Sequence, residues 1–89
     1  ALTRDDVAVG TPAFMPPELA RGQRDAVDER TDLWQVGAVL FTLVSGRPVH
    51  RGETAAETIV LAGAQAAPPL RSVAPHAPAA FARVVDRAL

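Results

Sequence analysis

Apolar and polar positions change rhythm several times along this 89-residue chain, and the changes predict four helical segments. From Thr31 to Ser45 the residues Leu33, Trp34, Val36, Val39, Leu40, Phe41, Leu43 and Val44 leave almost no polar interval. That pattern predicts a helix apolar round nearly its whole circumference, which belongs in the middle of a domain larger than this chain. Thr31 or Asp28 can cap its start, Asp32 lies in the first turn where the helix dipole favours a carboxylate, and Gly46 followed by Arg47-Pro48 is a stop signal.

Thr54-Ala55-Ala56-Glu57 has capping-box spacing and opens a helix over roughly 54–62, closed by Gly63. Its apolar residues, Ile59, Val60 and Leu61 among alanines, predict packing at the periphery. A last helix starts at Pro78, where Phe81, Val84, Val85, Ala88 and Leu89 fall at i, i+3, i+4, i+7 and i+8. Residues 64–78 hold four prolines with little periodicity and read as a rigid connecting loop. Residues 1–17 sustain no period and read as extended or loop structure. Pro17 suits a first helical position and Glu18 the first turn, so a short helix follows and ends by Gly22. With no convincing strand, the expected fold class is all-α.

Composition narrows this further. A chain of 89 residues, 48% hydrophobic, supports one small core. Without cysteine there is neither a disulfide framework nor a thiolate metal site. The formal charge is −1 and the arginines are scattered singly, so neither a nucleic-acid surface nor membrane contact is expected of this segment. The apolar run from Val36 to Val44 is far short of the ~20 residues that cross a bilayer. The chain begins without methionine and ends while its last helical pattern is still reading, so it is expected to be cut at both ends.

The inventory of reactive side chains is thin. His50 and His76 stand 26 residues apart with no carboxylate at metal-ligand spacing, and read as ordinary surface or loop histidines. Ser45 and Ser72 lack the context of a catalytic nucleophile. There is no lysine to pair with a phosphate, and Gly10 stands without the further glycines of a phosphate-binding loop. The chain by itself has no means of holding a nucleoside triphosphate.

Two motifs carry a resemblance to a known family. Gly10-Thr11-Pro12-Ala13-Phe14-Met15-Pro16-Pro17-Glu18 resembles the end of the activation segment of serine/threonine protein kinases, where Gly-Thr-Pro-x-Tyr-Met-Ala-Pro-Glu is usual. Asp32, Trp34 and Gly37, at the head of the apolar helix, resemble that family's Asp-x-Trp-x-x-Gly signature. The runs Val39 to Pro48 and Val84 to Leu89 are similar to the corresponding stretches of bacterial, eukaryotic-like members. Phe14 stands where a tyrosine is common and Pro16 where an alanine is, which removes one hydroxyl and one backbone donor.

The resemblance implies an all-α fragment of the kinase carboxyl-terminal lobe, about four helices with long proline-rich loops. Residues 1–17 would form the activation segment and acceptor-pocket loop, and residues 18–89 a helical part of the lobe. It implies that Gly10, Thr11, Pro12, Ala13 and Phe14 shape the pocket receiving the acceptor residue, with Thr11 favouring a hydroxyl acceptor. Asp32 would accept backbone N–H groups from the catalytic loop, with Thr11 and Asp32 supporting catalysis and no catalytic residue inside the segment. Pro17, Glu18, Asp32, Trp34 and Gly37 would be structural motif residues. Glu18 would pair with an arginine beyond Leu89; within the 89 residues it reads as a solvated helix-start carboxylate. Thr3 is a candidate regulatory phosphorylation site.

For the intact parent the resemblance implies a cytoplasmic transferase that uses ATP and magnesium and acts on serine or threonine of protein substrates. Its amino-terminal lobe and catalytic loop would be partners in the same chain, and any membrane tether would lie in other regions. For the 89 residues alone it implies neither ATP or metal binding nor activity. A pseudokinase-like scaffold and an unrelated helical interaction module are the alternative readings.

Overall fold

Three helix starts in this chain are capped by side chains, and the other two come directly after a proline. A computed structural model describes residues 12–89; Thr3, Gly10 and Thr11 lie outside the described residues. The elements are α1 (Pro17–Ala20), α2 (Glu29–Ser45), α3 (Ala55–Ala64), α4 (Leu70–Val73) and α5 (Ala79–Ala88), with 3-10 turns at Pro12–Phe14 and Arg24–Ala26. Among the described residues every regular element is helical, as expected for an all-α piece.

In α2 the Asp28 carboxylate accepts the Arg30 N–H at 2.8 Å, and the Thr31 hydroxyl accepts the Asp28 N–H at 3.3 Å. This reciprocal capping satisfies donors that a helix start otherwise leaves open. It moves the start to Glu29, two residues ahead of the expected 31, and makes Thr31 the third helical residue. The helix stops at Gly46, whose φ of 75° is accessible to glycine without steric cost.

For α3, Thr54 accepts the Glu57 N–H at 3.1 Å. The helix then runs through Gly63 to Ala64, beyond the expected end at 62. Gly63 stays helical and serves as a contact residue: a Cβ there would lie 3.0 Å from Arg21 Cγ and 3.6 Å from Ala20 Cβ. At the last helix, Pro78 is the residue before the first helical one rather than the first, and its carbonyl accepts the Ala82 N–H at 2.9 Å.

The segment 64–78 departs from the expected loop. Leu70–Val73 make one helical turn, because Leu70 is fully buried and the Asp86 carboxylate of α5 accepts its N–H at 2.8 Å. A single turn between prolines has too little periodicity to show in sequence, and its cap comes from sixteen residues away.

One core gathers Trp34, Ala38 and Phe41 of α2, Val49 of the following loop, Leu70, Ala74 and Ala77 around α4, and Ala82 and Val85 of α5. Phe41, Leu70 and Val85 are fully buried, each contributing ~1.5–3 kcal/mol relative to exposure. α2 packs directly on α5, where a Cβ on Gly37 would lie 2.8 Å from Ala88 Cβ. The expected stripe on α5 needs one correction. Val84 is 64% exposed and Ala82 faces the core instead, because the small side chain fits the close approach to α2.

The apolar circumference of α2 is only partly covered. Leu33, Val36, Val39 and Leu43 are exposed, while Trp34, Ala38 and Phe41 on the other side are buried. α3 contributes nothing to the main core and packs on α1 and the Pro12–Phe14 turn, the peripheral position expected of it.

Candidate functional site

Of the first motif, Pro12 to Glu18 lie among the described residues. Pro12–Phe14 form a 3-10 turn closed by the Met15 N–H on the Pro12 carbonyl at 3.3 Å. Phe14 packs half-buried against the core, and the turn rests on α3 and α2. Pro16 is fully buried in extended backbone, φ −62° and ψ 150°, a conformation proline already favours. Its carbonyl accepts the Ala20 N–H at 3.0 Å, and Pro17 takes the first helical position of α1, where a missing N–H costs nothing. The proline pair therefore fixes the exit of the turn and points Glu18 into the first turn of α1.

Glu18 does not behave as a solvated helix-start carboxylate. It is half-buried, and its Oε1 accepts the Thr31 hydroxyl proton at 2.7 Å. Thr31 is only 4% exposed. One hydroxyl thus accepts from the Asp28 N–H and donates to Glu18, using its single proton on the charged partner. The spacing Asp28-x-x-Thr31 signals the capping half of this arrangement, whereas the contact across thirteen residues leaves no sequence signal. Glu18 also borders a cavity of about 320 Å³ shared with Arg30, Trp34, Arg87 and Leu89.

A second tie holds α1 from the other side. Arg21 Nη1 donates to the Gly63 carbonyl of α3 at 3.1 Å, directly beside the close approach that the missing side chain of Gly63 permits. The turn, α1 and α3 thereby form a unit resting against the start of α2.

Asp32 follows Thr31 on α2 and is exposed. Together with Gln35, Val36, Val39 and Leu40 it lines an open, mainly apolar groove of about 390 Å³. The carboxylate is therefore held beside the groove by a helix, open to solvent. Trp34 and Gly37 face inward: Trp34 is 5% exposed in the core, and Gly37 admits Ala88 and Leu89.

Of the two histidines, His76 is exposed and His50 is not. His50 is 6% exposed and its Nε2 is buried without a hydrogen-bond partner. Burial pushes its imidazole below the usual histidine range, so it stays neutral at pH 7. Its position in a tight loop beside Gly52, whose N–H is bound to the Thr58 hydroxyl at 2.9 Å, leaves it inside rather than on the surface.

Among the described residues no three His, Asp or Glu side chains gather to hold a metal ion. Among them, too, no helix is long and apolar enough to cross a membrane.

Comparison with known proteins gives the motifs a context. No family model matches the chain. The DNA damage-responsive serine/threonine-protein kinase RqkA of Deinococcus radiodurans is 39% identical over 84 residues, which is 94% of this chain and 12% of that protein. Serine/threonine-protein kinase Pkn1 of Myxococcus xanthus is 37% identical over 87 residues, 98% of this chain and 12% of its own. A probable serine/threonine-protein kinase PknB of Bifidobacterium longum is 31% identical over 88 residues, again 12% of that protein. The chain thus spans about an eighth of the length of these curated relatives, along nearly all of its own. With this match, the two motifs in order and an all-helical fold, the chain belongs to the serine/threonine-protein kinase family as a partial kinase segment.

Proposed function

We propose that this segment forms the acceptor side of a serine/threonine protein kinase, residues 1–17 as activation segment and acceptor-pocket loop and residues 18–89 as a helical part of the carboxyl-terminal lobe. In this reading Gly10 to Phe14 wall the pocket for the residue to be phosphorylated, and Thr11 selects a hydroxyl acceptor. Asp32 accepts backbone N–H groups of the catalytic loop, which enters the groove along Val36 and Val39. Phosphoryl transfer depends mainly on positioning and electrostatics, so a segment without a reacting group still affects rate. The observation that carries the reading is an exposed Asp32 at the head of an open apolar groove, in a chain aligned along nearly its whole length with proteins named as kinases.

The nucleotide and magnesium would be held by parts of the longer protein outside these residues, which supply ATP's γ-phosphoryl group. Proteins with serine or threonine acceptors would be the substrates, and the 89 residues alone would transfer no phosphate. The test is transfer of labelled phosphate from ATP to a generic protein substrate by the full-length protein. Transfer that falls at least ~100-fold in both Thr11→Ala and Asp32→Asn is expected, in line with losses of positioning groups. Absence of transfer by the wild-type full-length protein, with peptide binding retained, would instead favour the scaffold reading.

A further inference from the structure

We propose that Thr31 is a positioning residue that sets the register between the acceptor-side turn and the α2 carboxylate Asp32; this rests on the acceptor-side role proposed above. The Thr31 hydroxyl donates to Glu18 Oε1 at 2.7 Å and accepts the Asp28 N–H at 3.3 Å. It is the described hydrogen bond that joins the first turn of α1 to the first turn of α2 through side chains alone.

The geometry favours this role over a simple cap. A capping threonine needs only to accept, and the Asp28 N–H already occupies that side of the oxygen. The remaining proton goes from a buried hydroxyl to a half-buried carboxylate, and a charge-assisted bond is about twice as strong as a neutral one. Glu18 follows the fully buried Pro16 and the half-buried Pro17, whose rings leave the backbone little freedom back to the Pro12–Phe14 turn. Asp32 is the next residue along α2 and faces the groove. Displacing Glu18 from Thr31 therefore displaces the turn relative to Asp32, with the helix itself intact.

Replacement by valine keeps the shape of the side chain but leaves the carboxylate oxygen without its donor, while serine keeps the hydroxyl. With the full-length protein and a synthetic serine peptide, Thr31→Val is expected to raise the peptide KM ~10-fold, the effect of losing one charge-assisted hydrogen bond. The KM for ATP stays at the wild-type value, and Thr31→Ser restores the peptide KM. Asp28→Ala, which removes the cap but leaves the Thr31 to Glu18 bond, lowers the melting temperature without changing the peptide KM. Glu18→Gln, which weakens the acceptor without deleting it, falls between wild type and Thr31→Val, and serves if Thr31→Val does not fold. Amide exchange over residues 12–20, measured on the same proteins, is faster in Thr31→Val than in Thr31→Ser.

An unchanged peptide KM in Thr31→Val and Glu18→Gln overturns the proposal, as does an equal rise in Asp28→Ala. If the wild-type protein transfers no phosphate, the kinase reading falls by itself and the exchange comparison decides: equal exchange in the valine and serine variants sinks the positioning role, and faster exchange in valine sustains it.

Discussion

The Asp86 carboxylate of α5 accepts the backbone N–H of Leu70 at 2.8 Å, so the last helix caps the short helix packed beneath it. Leu70 is fully buried, and its N–H is one of the donors that a helix start leaves open. Asp86→Ala would leave that donor without a partner. The expected cost is ~1–2 kcal/mol, with Asp86→Asn recovering most of it because the amide oxygen still accepts. Urea unfolding of the two variants beside wild type measures the difference.

Gly52→Ala is expected to destabilise although φ at that position is ordinary. A Cβ would lie 2.6 Å from Glu57 Cβ and 2.7 Å from the Thr58 backbone nitrogen, neither of which can swing aside. The same loop depends on Thr58, whose buried hydroxyl accepts the Gly52 N–H and donates to the Thr54 carbonyl at 3.0 Å. An overpacking cost of ~1–3 kcal/mol follows, read as a lower thermal midpoint.

Phe41 and Leu43 are two residues apart on α2 and similar in hydropathy, yet their substitutions should separate sharply. Phe41 is fully buried while Leu43 is 75% exposed. Phe41→Ala is expected to cost ~3–5 kcal/mol and to unfold much of the population, whereas Leu43→Ala stays within ~0.5 kcal/mol. Circular dichroism on the isolated segment gives both values, and a large loss for Leu43→Ala would place the covered face of α2 wrongly.

His50 makes stability depend on pH. Burial lowers its folded pKa below the value of an unfolded histidine, near 6.5. The unfolded chain therefore binds the proton first as pH falls. His50's contribution is complete above about pH 6.5 and is lost below it, levelling off once pH passes beneath the folded pKa. His50→Leu removes this dependence and the buried nitrogen that has no partner. Thermal midpoints of the two proteins at pH 7.5 and about 5.5 should converge for the leucine variant and differ for wild type.

How far these features were legible in sequence depends on the distance over which each is determined. α2 could be read because its cap, stop and apolar spacing are local, and α5 because its proline start and apolar spacing are. The start of α1 at Pro17 could be read for the same reason, whereas the Pro12–Phe14 turn lay within a stretch read only as extended or loop structure. α4 could not be read, since one turn between prolines takes its cap from Asp86. Val84 was expected inward with Val85, because spacing alone does not say which edge of a stripe meets the neighbouring helix. At the candidate site, Asp32 and Trp34 were legible from the motif, but the bond between Glu18 and Thr31 depends on how two helix starts meet. His50 was missed because a loop was equated with the surface, whereas this loop is tied inward through Thr58.

The outward face of α2 is an apolar surface that these residues leave uncovered. Leu33, Val36, Val39 and Leu43 place four branched side chains in water along a single rod. In dilute solution each chain tolerates that wetting; as the distance between chains shrinks, covering one stripe with another releases the ordered water at no cost in covalent structure. For the 89 residues on their own, association that grows with concentration is the expected consequence, and its seat is the same helix that carries the Asp32, Trp34 and Gly37 motif.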